Sequence, residues 1–411
     1  MAMMRGGTSE CNMRFVTRRR LALIVVLASL AGLGWLAWPY AEGASFVVRA
    51  AEMQGRLRTA ADALTEEITE RNVVLPIGNG LGARIYEPVG GFQRAVLLTS
   101  GIHPSGIDEP RLTALARQLS ASGIAVVTPD IPDLWRFAIT PAITDAIEQA
   151  AGWLAADPRF APDGKIGLMG ISFSGGLSIV AAGRPSLSGR IAYVFAFGGH
   201  GDLPRVLRYL CTGVEPAPGA DALDARLPGV ERRPPPTPHD YGLAVLLYGL
   251  ADRVVPSGQV KRLKDGVHRF LLASALDRTD KPAAALEFDA LRALARTLPQ
   301  PSSTLMTYVN DRDVVHLGAR LLPFIGSYGG DAPALSPERA PKPEAPVFLL
   351  HGLADNVIPA DESVHLADEL RGHTPVRILL SALISHAETD RPAGVTDILQ
   401  LAGFWGDLLT R

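Results

Sequence analysis

The sequence predicts an α/β fold: a mostly parallel sheet with helices on both faces, interrupted by a long helical insertion. Two stretches, about 94–197 and 346–409, alternate short apolar runs with amphipathic segments of helical length. Between them, 202–345 loses that alternation and shows helical periodicity with Pro-rich breaks. Hydrophobic residues make up 47% and charged residues 20%, so the 411-residue chain can bury a large core and is not disordered throughout. The balance of 40 basic and 42 acidic side chains argues against a nucleic-acid binder, which normally carries a basic face.

From the start, Leu21 to Trp38 is an uncharged run of eighteen residues. As a helix it would span ~27 Å, near the thickness of a hydrocarbon core. Arg14, Arg18, Arg19 and Arg20 precede it, and Trp35, Trp38 and Tyr40 cluster at its far end. This predicts a signal anchor over 21–38, with a basic tail, 1–20, in the cytoplasm and the rest outside, on the periplasmic side if the cell is bacterial. The alternative is a cleaved export signal, but the apolar run is long and the small-residue cleavage sites are poor. Thr17-Arg18-Arg19-Arg20-Leu21 also resembles a twin-arginine export signal. A juxtamembrane helix is expected over 45–71 and the main domain over 72–201 and 346–411, with 202–345 as a helical cap. Two cysteines, Cys11 and Cys211, exclude a disulfide framework and a cysteine zinc site.

NVVLPI and ARIYEP flank Gly78-Asn79-Gly80 and predict a hairpin; the glycines resemble a dinucleotide loop only superficially, because no helix pattern follows. Strands are expected at 94–100, 124–129, 165–170, 191–197, 346–352 and 376–381. Helices are expected at 109–122, 141–156, 173–182, 361–371 and 394–409, with cap helices near 203–212, 240–252, 257–274 and 282–297.

Gly170-Ile171-Ser172-Phe173-Ser174-Gly175-Gly176 follows an apolar strand and opens a helix. A serine on such a turn is lifted above the sheet edge, and the turn requires small residues two positions either side. Gly170 and Ser174 meet that around Ser172; Ser174 satisfies the same spacing, but the strand ends at Gly170, which leaves Ser172 at the turn. A serine hydroxyl needs a base to take its proton, ordinarily a histidine oriented by a carboxylate. Asp355 lies in His351-Gly352-Leu353-Ala354-Asp355, after one strand, and Ser385-His386 follows the next, so Ser172, Asp355 and His386 come from three loops at one edge of the sheet. Tyr248-Gly249-Leu250-Ala251-Asp252 nearly repeats the acid's motif and offers Asp252 instead, inside the insertion.

With these motifs in this order, the chain resembles the α/β-hydrolases, of the dienelactone-hydrolase-like or esterase-like kind with a helical cap. The resemblance covers about Asn72 to Leu409 apart from the insertion. It implies a serine hydrolase that cleaves carboxylic esters through an acyl-enzyme, with Ser172 as nucleophile, His386 as base, Asp355 as its orienter, and no cofactor. It also implies an oxyanion held by two backbone amides, those of Phe173 and, from Ser100-Gly101-Ile102-His103, Ile102. His103 and His200 are candidates for the substrate pocket, and His351 reads as structural. The expected substrate is a small-molecule or lipid-like ester. Thioester or amide hydrolysis, acyl transfer, and a non-catalytic binding role on the same fold remain the alternatives.

Overall fold

A computed structural model describes Ser29, Gly32, Gly34 and residues 36–215, 236–328, 332–384 and 395–411. They fall into two compact units, one of Thr65–Asp397 and one formed by both chain ends, through Leu64 and from Ile398.

The larger unit is built on one eight-stranded sheet: β1 (Ile68–Leu75), β2 (Leu81–Pro88), β3 (Arg94–Thr99), β4 (Ile124–Pro129), β5 (Ile166–Ile171), β6 (Ile191–Phe197), β7 (Val347–Gly352) and β8 (Val376–Ser381). Their spatial order is β1-β2-β4-β3-β5-β6-β7-β8. β1 and β2 form the antiparallel hairpin, in register from Leu75 opposite Leu81 to Ile68 opposite Pro88, and β2 pairs antiparallel with β4. All further pairs are parallel. β4 is buried along its whole length and β3 and β5 nearly so, as near-continuous apolar strands of a covered parallel sheet must be. The chain lays β4 on one side of β3 and then β5 on the other. This reversal makes the carboxyl ends of β3 and β5 the switch point of the sheet, the place where such sheets bind ligands.

The described residues of the smaller unit include helix α1 (36–50) and α2 (Arg56–Asp62). The larger unit carries α3 (Pro110–Ala121), the short α4 (Pro132–Trp135), α5 (Pro141–Ala156) and α6 (Phe173–Ala182) between strands. α7 (Leu203–Thr212), α8 (Asp240–Val254), α9 (Ser257–Leu276), α10 (Lys281–Thr297), α11 (Ser302–Asn310) and α12 (Val314–Leu321) form the insertion after β6. α13 (Ala360–Leu370) joins β7 to β8, and α14 (Val395–Leu409) ends the chain. Both ends of the insertion are pinned by one ionic network. Arg205 pairs with Glu338 at 2.6 Å and with Glu362, and Arg339 pairs with Asp202 at 2.7 Å. Glu362 in turn accepts the amides of Gly201 and Asp202 at 2.9 and 3.0 Å.

Three expectations need correction. The stretch 45–71 is not one helix: the chain breaks after α1, with Glu52 at φ 50° and Gly55 at φ 79°, and resumes as α2. The sheet begins at Ile68 rather than 72, because β1 is an edge strand whose Thr-Glu-Arg-Asn stretch is exposed and shows no alternation. Most of α14 belongs with the N-terminal helices rather than with the sheet. There Phe46 and Trp405 lie with ring centroids 4.2 Å apart, and a methyl at Gly43 would stand 2.6 Å from the Gly406 nitrogen, so glycine is what permits the close helix approach. Among the described residues no helix is long and apolar enough to cross a membrane. The expected span 21–38 lies largely outside them; its described residues, Ser29, Gly32, Gly34 and 36–38, are helical. Cys211 is a buried free thiol, and Cys11 lies outside the described residues.

Candidate active site

Ser172 stands between the end of β5 and the first turn of α6, with φ 55° and ψ −130°. A non-glycine residue at positive φ costs on the order of 1–3 kcal/mol and persists only where its surroundings over-determine it. Here its amide donates to the Phe197 carbonyl at 2.6 Å, and its own carbonyl accepts from Gly175 at 2.8 Å. A side chain at Gly170 would run into the Ser174 carbonyl and come within 2.6 Å of the Ser178 Oγ, so the turn excludes one. Ser172 is partly exposed, whereas Ser174 is fully buried inside the first turn of α6.

The loop after β3 comes up beside this turn. A methyl at Gly101 would lie 3.3 Å from the Ser172 Cβ and 3.9 Å from its Oγ, which sets Gly101 against the serine and Ile102 one residue beyond. His103 follows; its Nδ1 accepts the Ser105 amide at 3.2 Å, so Nε2 is the nitrogen that carries the proton in the neutral ring. Burial, with Arg111 and Arg278 and against Glu109, lowers its pKa to about 4. On the other flank the Phe173 ring is buried and stacks on His200, centroids 4.8 Å apart and planes 5° apart. His200 is fully buried, with Nε2 2.8 Å from the Leu335 carbonyl, and burial lowers its pKa. It packs behind the residue that follows the serine.

Asp355 occupies the turn beyond β7 and is 4% exposed. Its Oδ1 accepts the amides of Val357 and Ile358 at 2.9 and 3.0 Å, which fixes the carboxylate plane. Gly198, at φ 62° just past β6, lies beside the other oxygen: a methyl there would be in ordinary contact with Oδ2, at 3.4 Å. His351 is fully buried, its Nδ1 2.7 Å from the Ser363 Oγ and its Nε2 2.9 Å from the Ile358 carbonyl and 3.5 Å from Asp355 Oδ2. It braces the turn that carries Asp355. Asp252 is exposed in the last turn of α8. The strand before His386, β8, sends its chain over Gly352, where any side chain would strike the Ile384 carbonyl. His386 lies two positions further, outside the described residues.

Tyr241 and its neighbours were not legible as site residues. The stretch from Pro236 to Tyr241 touches two of the three loops. The His239 amide donates to the Asn356 carbonyl at 2.9 Å, and the Tyr241 hydroxyl donates to the Ile102 carbonyl at 3.3 Å. Nothing in a Pro-Thr-Pro-His-Asp-Tyr string marks such contacts before the insertion is folded. Among the described residues no group of histidines, cysteines and carboxylates is arranged to hold a metal ion.

No family model matches the chain, and no curated protein matches it in sequence. Solved structures do. An esterase from Pyrobaculum calidifontis shares 16% identity, with 90% of this chain and 91% of that one covered and a TM-score of 0.45. Brefeldin A esterase, described as a bacterial homologue of human hormone sensitive lipase, shares 13%, covering 84% and 79%, at 0.43. A dienelactone hydrolase from Anabaena variabilis shares 17%, covering 83% and 97%, at 0.39. The sheet order, the serine turn after β5 and the insertion after β6 give the chain the α/β-hydrolase fold.

Proposed function

We propose that the chain is a serine hydrolase that cleaves carboxylic esters, with Ser172 as nucleophile, His386 as general base and Asp355 as the carboxylate that orients it. The observation that carries this reading is the strained turn at Ser172, a serine held at φ 55° between a buried strand and a helix N-terminus. Two further features support it. Gly101 lies against the serine, which supports the amide of the next residue, Ile102, as an oxyanion donor. The Ile384 backbone passes over Gly352, three residues before Asp355, and His386 is two residues along the chain.

The Ser172 Oγ attacks the acyl carbonyl while His386 takes its proton. The oxyanion that forms is held by the amides of Phe173 and Ile102, and the positive end of α6 adds to that field. The tetrahedral intermediate collapses, the C–O bond to the alcohol breaks, and the leaving alkoxide takes the proton from His386. A water molecule then gives a proton to His386 and attacks the acyl-enzyme; as the bond from the acyl carbon to the Ser172 Oγ breaks, His386 returns the proton to Oγ and the acid is released. We infer in addition that the apolar run 21–38 anchors the protein in a membrane, with the hydrolase outside the cytoplasm.

A fluorophosphonate reacts quickly only with an activated serine. It should label Ser172, and Ser172→Ala should abolish the label and lower turnover of p-nitrophenyl esters by several orders of magnitude, ~10⁶ in a protease precedent. Ser174→Ala should be mild, because that hydroxyl is sealed in α6. An adduct on Ser174, or a chain that neither labels nor turns over any ester, overturns the proposal.

A further inference from the structure

We propose that Tyr241, at the start of cap helix α8, is a positioning residue for the oxyanion donor Ile102. The proposal rests on the hydrolase reading above and adds a residue that the triad and the two backbone amides do not include.

The Tyr241 hydroxyl donates to the Ile102 carbonyl at 3.3 Å. That carbonyl belongs to the peptide after Ile102, and the donor N–H to the peptide before it; the two planes share one Cα. Holding the first restricts ψ at Ile102 and hence the swing of a loop that contains Gly101, the most permissive residue in it. The tyrosine is itself held. Its ring meets the fully buried Phe137 edge-on, centroids 6.3 Å apart. Its amide donates to the His239 Nδ1 at 3.1 Å, an N-terminal cap that fixes the first turn of α8. The segment before it is anchored to the acid's turn: the His239 amide binds the Asn356 carbonyl at 2.9 Å, and the Tyr209 hydroxyl binds the Pro236 carbonyl at 2.8 Å. Six residues, Pro236 to Tyr241, therefore strap the loop that carries Asp355 to the loop that carries Ile102. An oxyanion donor works only when it is held within about 0.5 Å of its place before the charge develops. The strap supplies that hold from the cap, so the seating of the cap and the competence of the oxyanion site are coupled.

The test uses the full chain and the rate at which a fluorophosphonate labels Ser172, because its phosphoryl oxygen enters the same oxyanion site. Tyr241→Phe keeps the ring against Phe137 and removes only the hydroxyl. Deleting an oxyanion donor costs about 10²–10³; loosening one should cost less, about tenfold in labelling rate and in kcat for p-nitrophenyl acetate. KM should stay within about twofold and the thermal midpoint within a few degrees, which a pocket-wall or purely structural role would not give. A labelling rate within about twofold of wild type, or a loss carried wholly by KM, overturns the proposal. If Tyr241→Phe fails to fold, 3-fluorotyrosine at 241 decides: it keeps a stronger donor and should label at least as fast as wild type, and slower labelling overturns the proposal. A wild-type chain that never labels removes the hydrolase reading itself, whereas normal wild-type labelling with an unaffected Tyr241→Phe removes this proposal alone.

Discussion

At Asp355 the sequence offered two nearly identical motifs, and the backbone around each separates them. Asp355 is 4% exposed in a turn at the sheet's carboxyl edge, with one oxygen committed to the Val357 and Ile358 amides. Asp252 is exposed on a helix. Asp355→Asn keeps the acceptor oxygen and removes the charge that stabilises an imidazolium, so kcat should fall at least ~100-fold, less than the ~10⁴ of the protease precedent. Asp252→Asn should stay within about tenfold. Reversed effects on p-nitrophenyl ester turnover would move the acid into the cap. His103 supports a second prediction. Unfolded, its ring takes a proton near pH 6.5; folded, burial holds it neutral down to about 4, with Arg111 and Arg278 opposing the charge and Glu109 favouring it. Protonation thus favours the unfolded chain. The stability is fully present above about pH 6.5 and is lost as pH falls toward 4. Glu109, held below its ordinary range by Arg111 against the cost of burial, acts in the same direction. Urea unfolding at pH 7.5 and 4.5 should show a drop that His103→Gln reduces by roughly 2 kcal/mol; equal drops in both proteins would refute the neutral buried ring.

Elements with a clean period were legible almost to the residue. The expected helix 141–156 is α5, the strand 191–197 is β6, and Phe173 to Ala182 is α6. The serine turn was legible for the same reason: an apolar strand and an apolar helix bracket it without a gap. α11 and α12 were not. Ser-Ser-Thr-Leu-Met-Thr-Tyr-Val-Asn is rich in residues that compete with helix or stiffen it, and α12 is two turns long and opens on Val314-Val315. Tertiary packing decides such segments. The ionic network at the roots of the insertion was equally invisible, since Arg205, Glu338 and Glu362 are far apart in sequence. Burial alone would lower the Arg205 pKa, but the hydrogen bond to Glu338 and the charge of Glu362 raise it. Arg205→Ala leaves the Glu362 side chain, 3% exposed, with an uncompensated charge and should cost about 3 kcal/mol in urea unfolding. Lys261→Ala breaks the pair with Asp265, whose side chains are 87% and 58% exposed, and should change stability by less than about 1 kcal/mol. Similar costs for the two would mean that the network does not pin the insertion.

At the scale of the whole molecule, described residues from near both chain ends form one small unit, and this bears on the proposed membrane anchor. Residues 36–38 of α1 lie inside the apolar run, as do the helical Ser29, Gly32 and Gly34. Leu36, Trp38 and Tyr40 are 63%, 50% and 62% exposed at this end of α1, while Phe46 and Val47, one to two turns on, are buried. Exposed aromatic side chains at the end of an uncharged eighteen-residue run are the pattern of a membrane–water interface, where an amphipathic ring is stable half out of lipid. On the proposed anchor, Arg18, Arg19 and Arg20 at the other end would set the orientation, because a basic flank favours the cytoplasmic side. The protein should therefore remain in the membrane fraction after a high-salt wash and leave it with detergent. A reporter active only in the cytoplasm, fused after Arg411, should be silent, and one active only outside should report. Replacing Arg18, Arg19 and Arg20 together by Glu should weaken that bias and raise the cytoplasmic signal. A soluble mature chain starting near Ser45 would establish cleavage instead of anchoring, and a bright cytoplasmic reporter on the unaltered protein would reverse the topology while leaving the chemistry at Ser172 to be judged on its own.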